Sequence, residues 1–214
     1  MMQVKDLTLR AGDRVLVPQV SFRVQEGECL LLCGPNGSGK STLLRTLAAK
    51  YAGCELIPTG IPKVKGFTVE QFLQTSCYRN SSWLGALAPA TARRIEAALE
   101  ILQLQKLRAE DLSNLSDGEF QKVCIALGLA RHARILLLDE PSAFLDVDNR
   151  ISVFRTLEQT ARQSGMAVIF SSHDLHDALS VAHRVLAILP GGSFAESEPQ
   201  NREEVIHLAF PFFK

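Results

Sequence analysis

The 214-residue sequence has no paired cysteine motif and no long apolar run. Its five cysteines form no C-x-x-C pair and include an odd member, which favours reduced thiols over a disulfide framework. Cys29 and Cys33 lie four apart in a short apolar run, where core packing is a better interpretation than metal binding or redox work. No window approaches the roughly 18 consecutive apolar residues of a membrane span, and the first residues lack the pattern of a signal peptide. We therefore expect a soluble, cytoplasmic chain.

The formal net charge is zero, because 23 basic residues balance 23 acidic ones. A nucleic-acid-binding domain usually carries a basic surface, so we expect no nucleic-acid partner. The chain length and a hydrophobic content of 46% suit one α/β domain with a single sizeable core.

The stretch GPNGSGKST at residues 34–42 matches the phosphate-binding pattern G-x-x-x-x-G-K-[ST] at every fixed position. An apolar run of strand length precedes it and helix-forming residues follow it, which is the context that the motif requires. Its glycines allow the backbone N–H groups to surround a phosphate, so a turn with a solvated lysine is disfavoured. We expect Lys40 to reach the β- and γ-oxygens of a bound triphosphate and Ser41 to hold Mg²⁺. The candidate nucleotide-binding residues are Gly34, Pro35, Asn36, Gly37, Ser38, Gly39, Lys40, Ser41 and Thr42.

Hydrophobic periodicity predicts an α/β order of elements. Alternating residues predict an antiparallel strand pair on either side of the Gly12-Asp13 turn, and glycines and prolines limit residues 51–65 to one short strand. A small helical lobe is predicted at about 67–112, inserted into a core made of 1–66 and 113–214. The predicted strands are 4–9, 20–24, 28–33, 55–57, 134–138, 167–170 and 185–189, and the predicted helices are 41–50, 68–76, 91–104, 116–131, 147–160 and 203–208.

Three further stretches carry polar residues at predicted element ends. Ser116 is the predicted N-cap of a helix that could receive a phosphate, although LSDGE at 115–119, taken alone, is better interpreted as an ordinary capped helix. Asp139 and Glu140 end a buried strand, which suits one acid for Mg²⁺ and one beside the γ-phosphate. His173 follows another strand, where a γ-phosphate contact is favoured over a capping role. His176 and His183 are predicted to be surface residues.

In these motifs and their order the chain resembles the ATP-binding subunits of ABC transporters. The residues that carry the resemblance are the phosphate loop 34–42, LSDGE at 115–119, ILLLDEP at 135–141, AFLD at 143–146 and SSHD at 171–174. Within that family, the sequences at 66–70, LSDGE, DEPSAFLD and SSHDL are most similar to the ATPases of iron-siderophore, haem and vitamin B12 importers.

The resemblance implies a P-loop NTPase core with a mostly parallel sheet, a small antiparallel β lobe that is shortened here, and an inserted α-helical lobe. It implies ATP and Mg²⁺ as cofactors and ATP hydrolysis that powers import. Glu140 would be the catalytic base, His173 a γ-phosphate contact, and Ser41 and Asp139 the Mg²⁺ ligands. The signature residues Leu115, Ser116, Asp117, Gly118 and Glu119 would contact phosphate across a dimer.

The resemblance also implies partners. These are a second ATPase copy or a paired ATPase subunit, and transmembrane permease subunits that hold the protein at the inner face of the cell membrane. Trp83, in the helical lobe, would face the permease. Asp146 would contact the opposite subunit, while the residues alone allow it to be a helix N-cap equally well.

Three departures from the family pattern concern function. The segment from Thr42 to Val69 is short, and no glutamine occurs at 57–60, where Thr59 is a candidate substitute. No aromatic residue lies between Met1 and Phe22 to stack on adenine near Ala11. The missing glutamine and the short segment favour an alternative, a soluble or degenerate ABC-like nucleotide-binding regulatory module without transport coupling. A P-loop kinase is disfavoured, because LSDGE and His173 would then have no role.

Overall fold

Strands and helices alternate along most of the chain. The computed structural model describes residues 1–77, 88–143 and 145–211. The strands within these ranges are β1 (Met2–Ala11), β2 (Arg14–Val24), β3 (Cys29–Cys33), β4 (Cys54–Ile57), β5 (Ile135–Leu138), β6 (Ala167–Ser171), β7 (Arg184–Ile188) and β8 (Phe194–Glu196). The helices there are α1 (Lys40–Lys50), α2 (Val69–Ser76), α3 (Pro89–Ile101), α4 (Asp117–Ala130), α5 (Val147–Ser164), α6 (Leu175–Leu179) and α7 (Arg202–Ala209).

The main sheet has the strand order β4-β5-β6-β3-β7-β8. All neighbouring pairs are parallel except β7 and β8, which pair antiparallel. Every residue of β3, β5, β6 and β7 is buried, as expected for parallel strands that are covered on both faces. This parallel arrangement places the carboxyl ends of β3, β4, β5 and β6 at one edge of the sheet.

The predicted antiparallel pair is present and longer than expected. β1 and β2 form a separate two-stranded sheet whose pairing continues to Ala11 and Arg14, beside the turn at Gly12. Leu9, Val17 and Val20 are buried against the main sheet, while most of the intervening residues are exposed. The alternation identified the two strands, but hydrogen bonding between them extends past the apolar stretches.

The central strand β3 separates two hydrophobic clusters. Leu30 and Leu32 point into a cluster with β1, β2 and α1. Cys29, Leu31 and Cys33 point the other way, into a cluster with α4 and the helices before it. The two cysteines are free and buried, which confirms the prediction of core packing, and burial raises the pKa of Cys33 to about 12.

Other boundaries differ for local reasons. α3 starts at Pro89, because proline suits the first turn of a helix, and it ends at Ile101 rather than at 104. α5 continues to Ser164, where Gly165 ends it in the left-handed conformation. The short edge strand β8 was not predicted. Trp83 lies outside the described residues.

Among the helices of the described ranges, none combines the length and the apolar character that crossing a bilayer requires.

Candidate functional site

The carboxyl edge of the parallel sheet gathers most of the predicted site residues. Gly34 follows β3, Asp139 and Glu140 follow β5, and His173 lies two residues beyond β6. Thr59 lies two residues beyond β4 at the same edge. Ligands of open α/β sheets bind at such an edge, so the predicted loop, acids and histidine lie together where a ligand would bind.

The phosphate loop depends on glycines at its two ends. Gly34 has φ +147°, and a Cβ there would lie 2.5 Å from the backbone oxygen of Ile188. Gly39 precedes α1 in the left-handed conformation with φ +111°, and no side chain within the described ranges caps this helix. The first N–H groups of α1 therefore face the loop, where an anion could accept their hydrogen bonds.

Lys40 is a buried cation at the start of α1. The residue is 8% exposed, and Nζ donates hydrogen bonds to the backbone oxygens of Gly34 at 2.9 Å and Pro35 at 3.4 Å. Burial lowers the pKa of Lys40, while the nearby carboxyl of Glu140 acts in the opposite direction. The ammonium is therefore held between the loop carbonyls and the strand-end acids, in a position suited to phosphate charge.

Asp139 is held by hydrogen bonds from two neighbouring strand ends. Ser171 Oγ donates to Asp139 Oδ1 at 3.0 Å, and Thr59 Oγ1 donates to the Asp139 backbone oxygen at 2.6 Å. Ser171 was not singled out from the sequence. The pairing of Leu138 with Phe170 places Ser171 beside Asp139, and this register is the signal that would have identified it.

Glu140 combines a strained backbone with a shielded carboxyl. Its φ of +50° is in the left-handed region, and its amide N–H donates to Ser171 Oγ at 2.9 Å. The carboxyl Oε1 lies 3.1 Å from His173 Nε2, and the Glu140 side chain is 18% exposed. Burial raises the pKa of Glu140, whereas His173 and Lys40 act to lower it. The acid and the histidine are in contact, as a base and its neighbour at a reacting phosphate would be.

The LSDGE stretch starts α4 with a complete capping box. Ser116 Oγ accepts a hydrogen bond from the Glu119 amide at 3.2 Å, which confirms Ser116 as the N-cap. Glu119 Oε2 accepts from both the amide and the hydroxyl of Ser116 at 2.8 Å. These bonds lower the pKa of Glu119. The Glu119 carboxylate is thus turned back onto its own helix end.

Asp146 is the N-cap of α5. Its Oδ1 accepts from the Asn149 amide at 2.8 Å, and its Oδ2 accepts from Asn149 Nδ2 at 2.9 Å. Asn149 Oδ1 lies 2.6 Å from the place where a Cβ on Gly118 would stand. The capping role that the residues alone allowed is therefore present, and Asn149 links Asp146 to the start of α4.

The two remaining histidines differ. His176 is 98% exposed, as predicted. The prediction for His183 was wrong, because its Nδ1 accepts a hydrogen bond from the Cys29 amide at 2.9 Å in a half-buried position.

Lys63 was not predicted from the sequence to be a site residue. It contacts Leu115 and Asp117 at the LSDGE stretch.

Comparison with known proteins gives a consistent result. The family model described as ABC transporter matches residues 17–143. The "Probable siderophore transport system ATP-binding protein YusV" of Bacillus subtilis is 30% identical over 94% of this chain and 80% of its own length. The zinc import ATP-binding protein ZnuC of Jannaschia sp. is 33% identical over 86% of this chain and 77% of its own length.

A solved structure agrees on the fold. The structure of a transporter described as metal-chelate type, in an inward-facing conformation, superposes with a TM-score of 0.84 and 24% identity. The match covers 98% of this chain and 88% of that chain. At this identity the likeness shows the fold alone, which is that of the ABC ATPases.

Proposed function

This chain belongs to the ABC transporter family, and from that membership we propose that it drives uptake of a metal chelate through separate membrane subunits. It is an ATP-binding ATPase subunit of that family. The metal-chelate cargo is supported by the YusV relative and by the iron(3+)-hydroxamate import ATP-binding protein FhuC of Bacillus subtilis, 27% identical over 89% of this chain. FhuC is named an import protein and YusV part of a siderophore transport system, which favours transport over the regulatory alternative.

The contact between Glu140 and His173, opposite buried Lys40, carries the proposed catalytic site. The loop 34–42 and the first N–H groups of α1 bind the phosphates, and Lys40 offsets charge on the β- and γ-phosphates. Glu140 accepts a proton from the attacking water, and its raised pKa makes it a stronger base than an exposed carboxylate. His173 contacts the γ-phosphate and limits the freedom of the Glu140 side chain.

The donor set fits Mg²⁺. Asp139 presents a carboxylate whose Oδ1 already accepts a hydrogen bond from Ser171, and Ser41 lies in the first turn of α1. Oxygen donors of this kind are those that Mg²⁺ prefers. Ser41 and Asp139 would hold the ion, which would supply charge compensation on the phosphate oxygens.

The active unit is a head-to-tail dimer, or a pair with a related ATPase subunit. Leu115, Ser116 and Gly118 of one copy approach the nucleotide bound to the loop of the other, and Asp146 lies at the same interface. ATP binding closes the pair, because a ligand that touches both copies stabilises the closed state. Asn149 donates a hydrogen bond to Asp146 and packs closely against Gly118, so it lies between the two interface elements.

The membrane partner binds a helical lobe at about 67–112, while residues 1–66 and 113–214 form the ATPase core. Arg108 supports this lobe, since it pairs with Glu70 of α2 at 2.5 Å and also contacts Glu96 of α3. The subunit then acts at the inner face of the membrane, attached to permease subunits that supply the transmembrane path.

Reconstitution tests the cargo and the coupling together. The chain is co-purified with a candidate permease from the same genome and placed in lipid vesicles with a matching binding protein. An iron(3+)-hydroxamate chelate should stimulate ATP turnover and enter the vesicles, and Glu140→Gln should abolish uptake. Stimulation by free zinc in its place would overturn the chelate assignment. ATP turnover that no permease stimulates would overturn transport coupling and restore the regulatory alternative.

A further inference from the structure

Lys63 joins the segment after β4 to the start of α4. Its Nζ donates a hydrogen bond to the Leu115 backbone oxygen at 2.6 Å and pairs with Asp117 Oδ1 at 2.6 Å. The same atom lies 5.9 Å from the centre of the Phe120 ring, and the Lys63 side chain is 25% exposed. One side chain therefore contacts the backbone, a carboxylate and an aromatic ring of the same helix start.

The charge at this helix start needs a counterion. Asp117 and Glu119 both lie in the first turn of α4. Carboxylates there compete with a phosphate for the free N–H groups and the positive end of the helix dipole. Glu119 is engaged by Ser116, but the Asp117 side chain is 63% exposed and its ion pair is with Lys63. Without that cation, Asp117 would repel an incoming triphosphate.

Lys63 also lies close in sequence to Thr59, which contacts Asp139 at the carboxyl edge of the sheet. Thr59, four residues earlier, donates to the Asp139 backbone oxygen at 2.6 Å. Thr59, Lys63 and Asp117 line one cavity of about 300 Å³. The segment 59–63 therefore spans from the proposed Mg²⁺ acid to the signature of the same copy.

We propose that Lys63 is a positioning residue for ATP-driven dimerisation. It neutralises Asp117 and anchors the Leu115 carbonyl, so that the N-terminus of α4 can accept the triphosphate held by the other copy. This role rests on the proposed head-to-tail dimer. Lys63 itself need not touch the nucleotide, because its effect passes through Asp117 and Leu115.

The test uses the full chain in the Glu140→Gln background, where slow hydrolysis preserves bound ATP. Light scattering at saturating MgATP measures the dimer dissociation constant, and calorimetry on dilute protein measures ATP binding by the monomer. Lys63→Ala should raise the dimer dissociation constant about tenfold, since the dimer contains two such contacts. Its monomer affinity for MgATP should stay within about twofold, because the phosphate loop is unchanged.

Three matched variants separate charge from packing. Lys63→Arg should dimerise nearly as the Glu140→Gln parent does, and Asp117→Asn added to Lys63→Ala should restore much of the loss. Lys65→Ala removes the same charge from an exposed position two residues away and should have no effect. Melting temperatures by circular dichroism exclude unfolded variants.

The outcomes are distinguishable. If Lys63→Ala dimerises as the parent does, or if Lys65→Ala is equally impaired, the role of Lys63 is wrong while the dimer stands. If Asp117→Asn gives no rescue, charge neutralisation is wrong. If the Glu140→Gln parent binds MgATP yet stays monomeric, the dimer fails, and the role of Lys63 fails with it.

Discussion

The Ser171 hydroxyl donates a hydrogen bond to the Asp139 carboxylate from the neighbouring strand, across 3.0 Å. The same hydroxyl oxygen accepts the amide N–H of Glu140 at 2.9 Å. One buried hydroxyl thus orients the first strand-end acid and holds the left-handed backbone of the second. The geometry of both acids depends on it.

Replacing Ser171 with Ala should lower both stability and turnover. The change leaves a buried amide and a carboxylate oxygen without this partner, which costs about 1–3 kcal/mol in the free energy of unfolding. Urea denaturation measures that loss, and steady-state kinetics should show a lower kcat with little change in the KM for ATP. Ser180→Ala, at an exposed hydroxyl directly after α6, serves as the control. Wild-type unfolding and turnover in Ser171→Ala would contradict the assigned role.

Lys40→Ala should abolish tight ATP binding while the fold persists. The variant removes a buried ammonium that faces the phosphate site and leaves the glycine turns in place. Isothermal calorimetry with MgATP measures the loss, and circular dichroism checks the fold. Lys50→Ala, at the other end of α1, removes the same charge and should bind normally. Equal affinity in Lys40→Ala and the parent would refute the phosphate-loop assignment.

Glu140→Gln should reduce turnover by a factor of about 10²–10⁴, because the amide keeps the shape but cannot serve as the base. Glu204→Gln, on the surface of α7, should turn over at the parent rate. A parent-like rate in Glu140→Gln would mean that another group is the base.

The pH dependence of turnover follows from the pKa of Glu140. Burial raises this pKa above the ordinary 4.5, and a base acts only when deprotonated. Turnover should therefore fall on acidification at a higher pH than for an exposed carboxylate. His173 lowers the pKa of Glu140, so in His173→Ala the acid limb should move to higher pH. A pH–rate profile in which the limb stays in place or moves to lower pH would count against this coupling.

Base selection should be weak. Ala11 is exposed at the end of β1 and carries no ring that could stack on adenine, so GTP should bind within about tenfold of ATP. Ala11→Tyr should tighten ATP binding, since an aromatic ring contributes about 1–3 kcal/mol per stacked base. Lys5→Tyr, nearer the start of β1, is the matched control. Strong discrimination against GTP, or equal gains in both tyrosine variants, would show that position 11 does not face the base.

Sequence patterns identified the elements that local chemistry determines. The phosphate loop, the Ser116 cap and the buried strand before Asp139 were predicted because each has its own residue signature. Ser171 and Lys63 were missed, since their roles come from strand register and from a contact with a distant helix start. His183 was misjudged for the same reason, because its partner Cys29 is 154 residues away. Contacts between residues that are far apart in the chain produce no periodic pattern in a single sequence.

The side chains of β3 alternate between two hydrophobic clusters, which makes this strand more sensitive to deletions than to substitutions. Even-numbered side chains of this strand fill one cluster and odd-numbered ones fill the other. A conservative substitution affects one cluster, but a deletion of a single codon would exchange the two sets and shift Gly34 away from Ile188 at the same time. Insertions and deletions should therefore be far rarer here than substitutions, and a library of single-codon deletions selected for function should leave residues 29–34 intact.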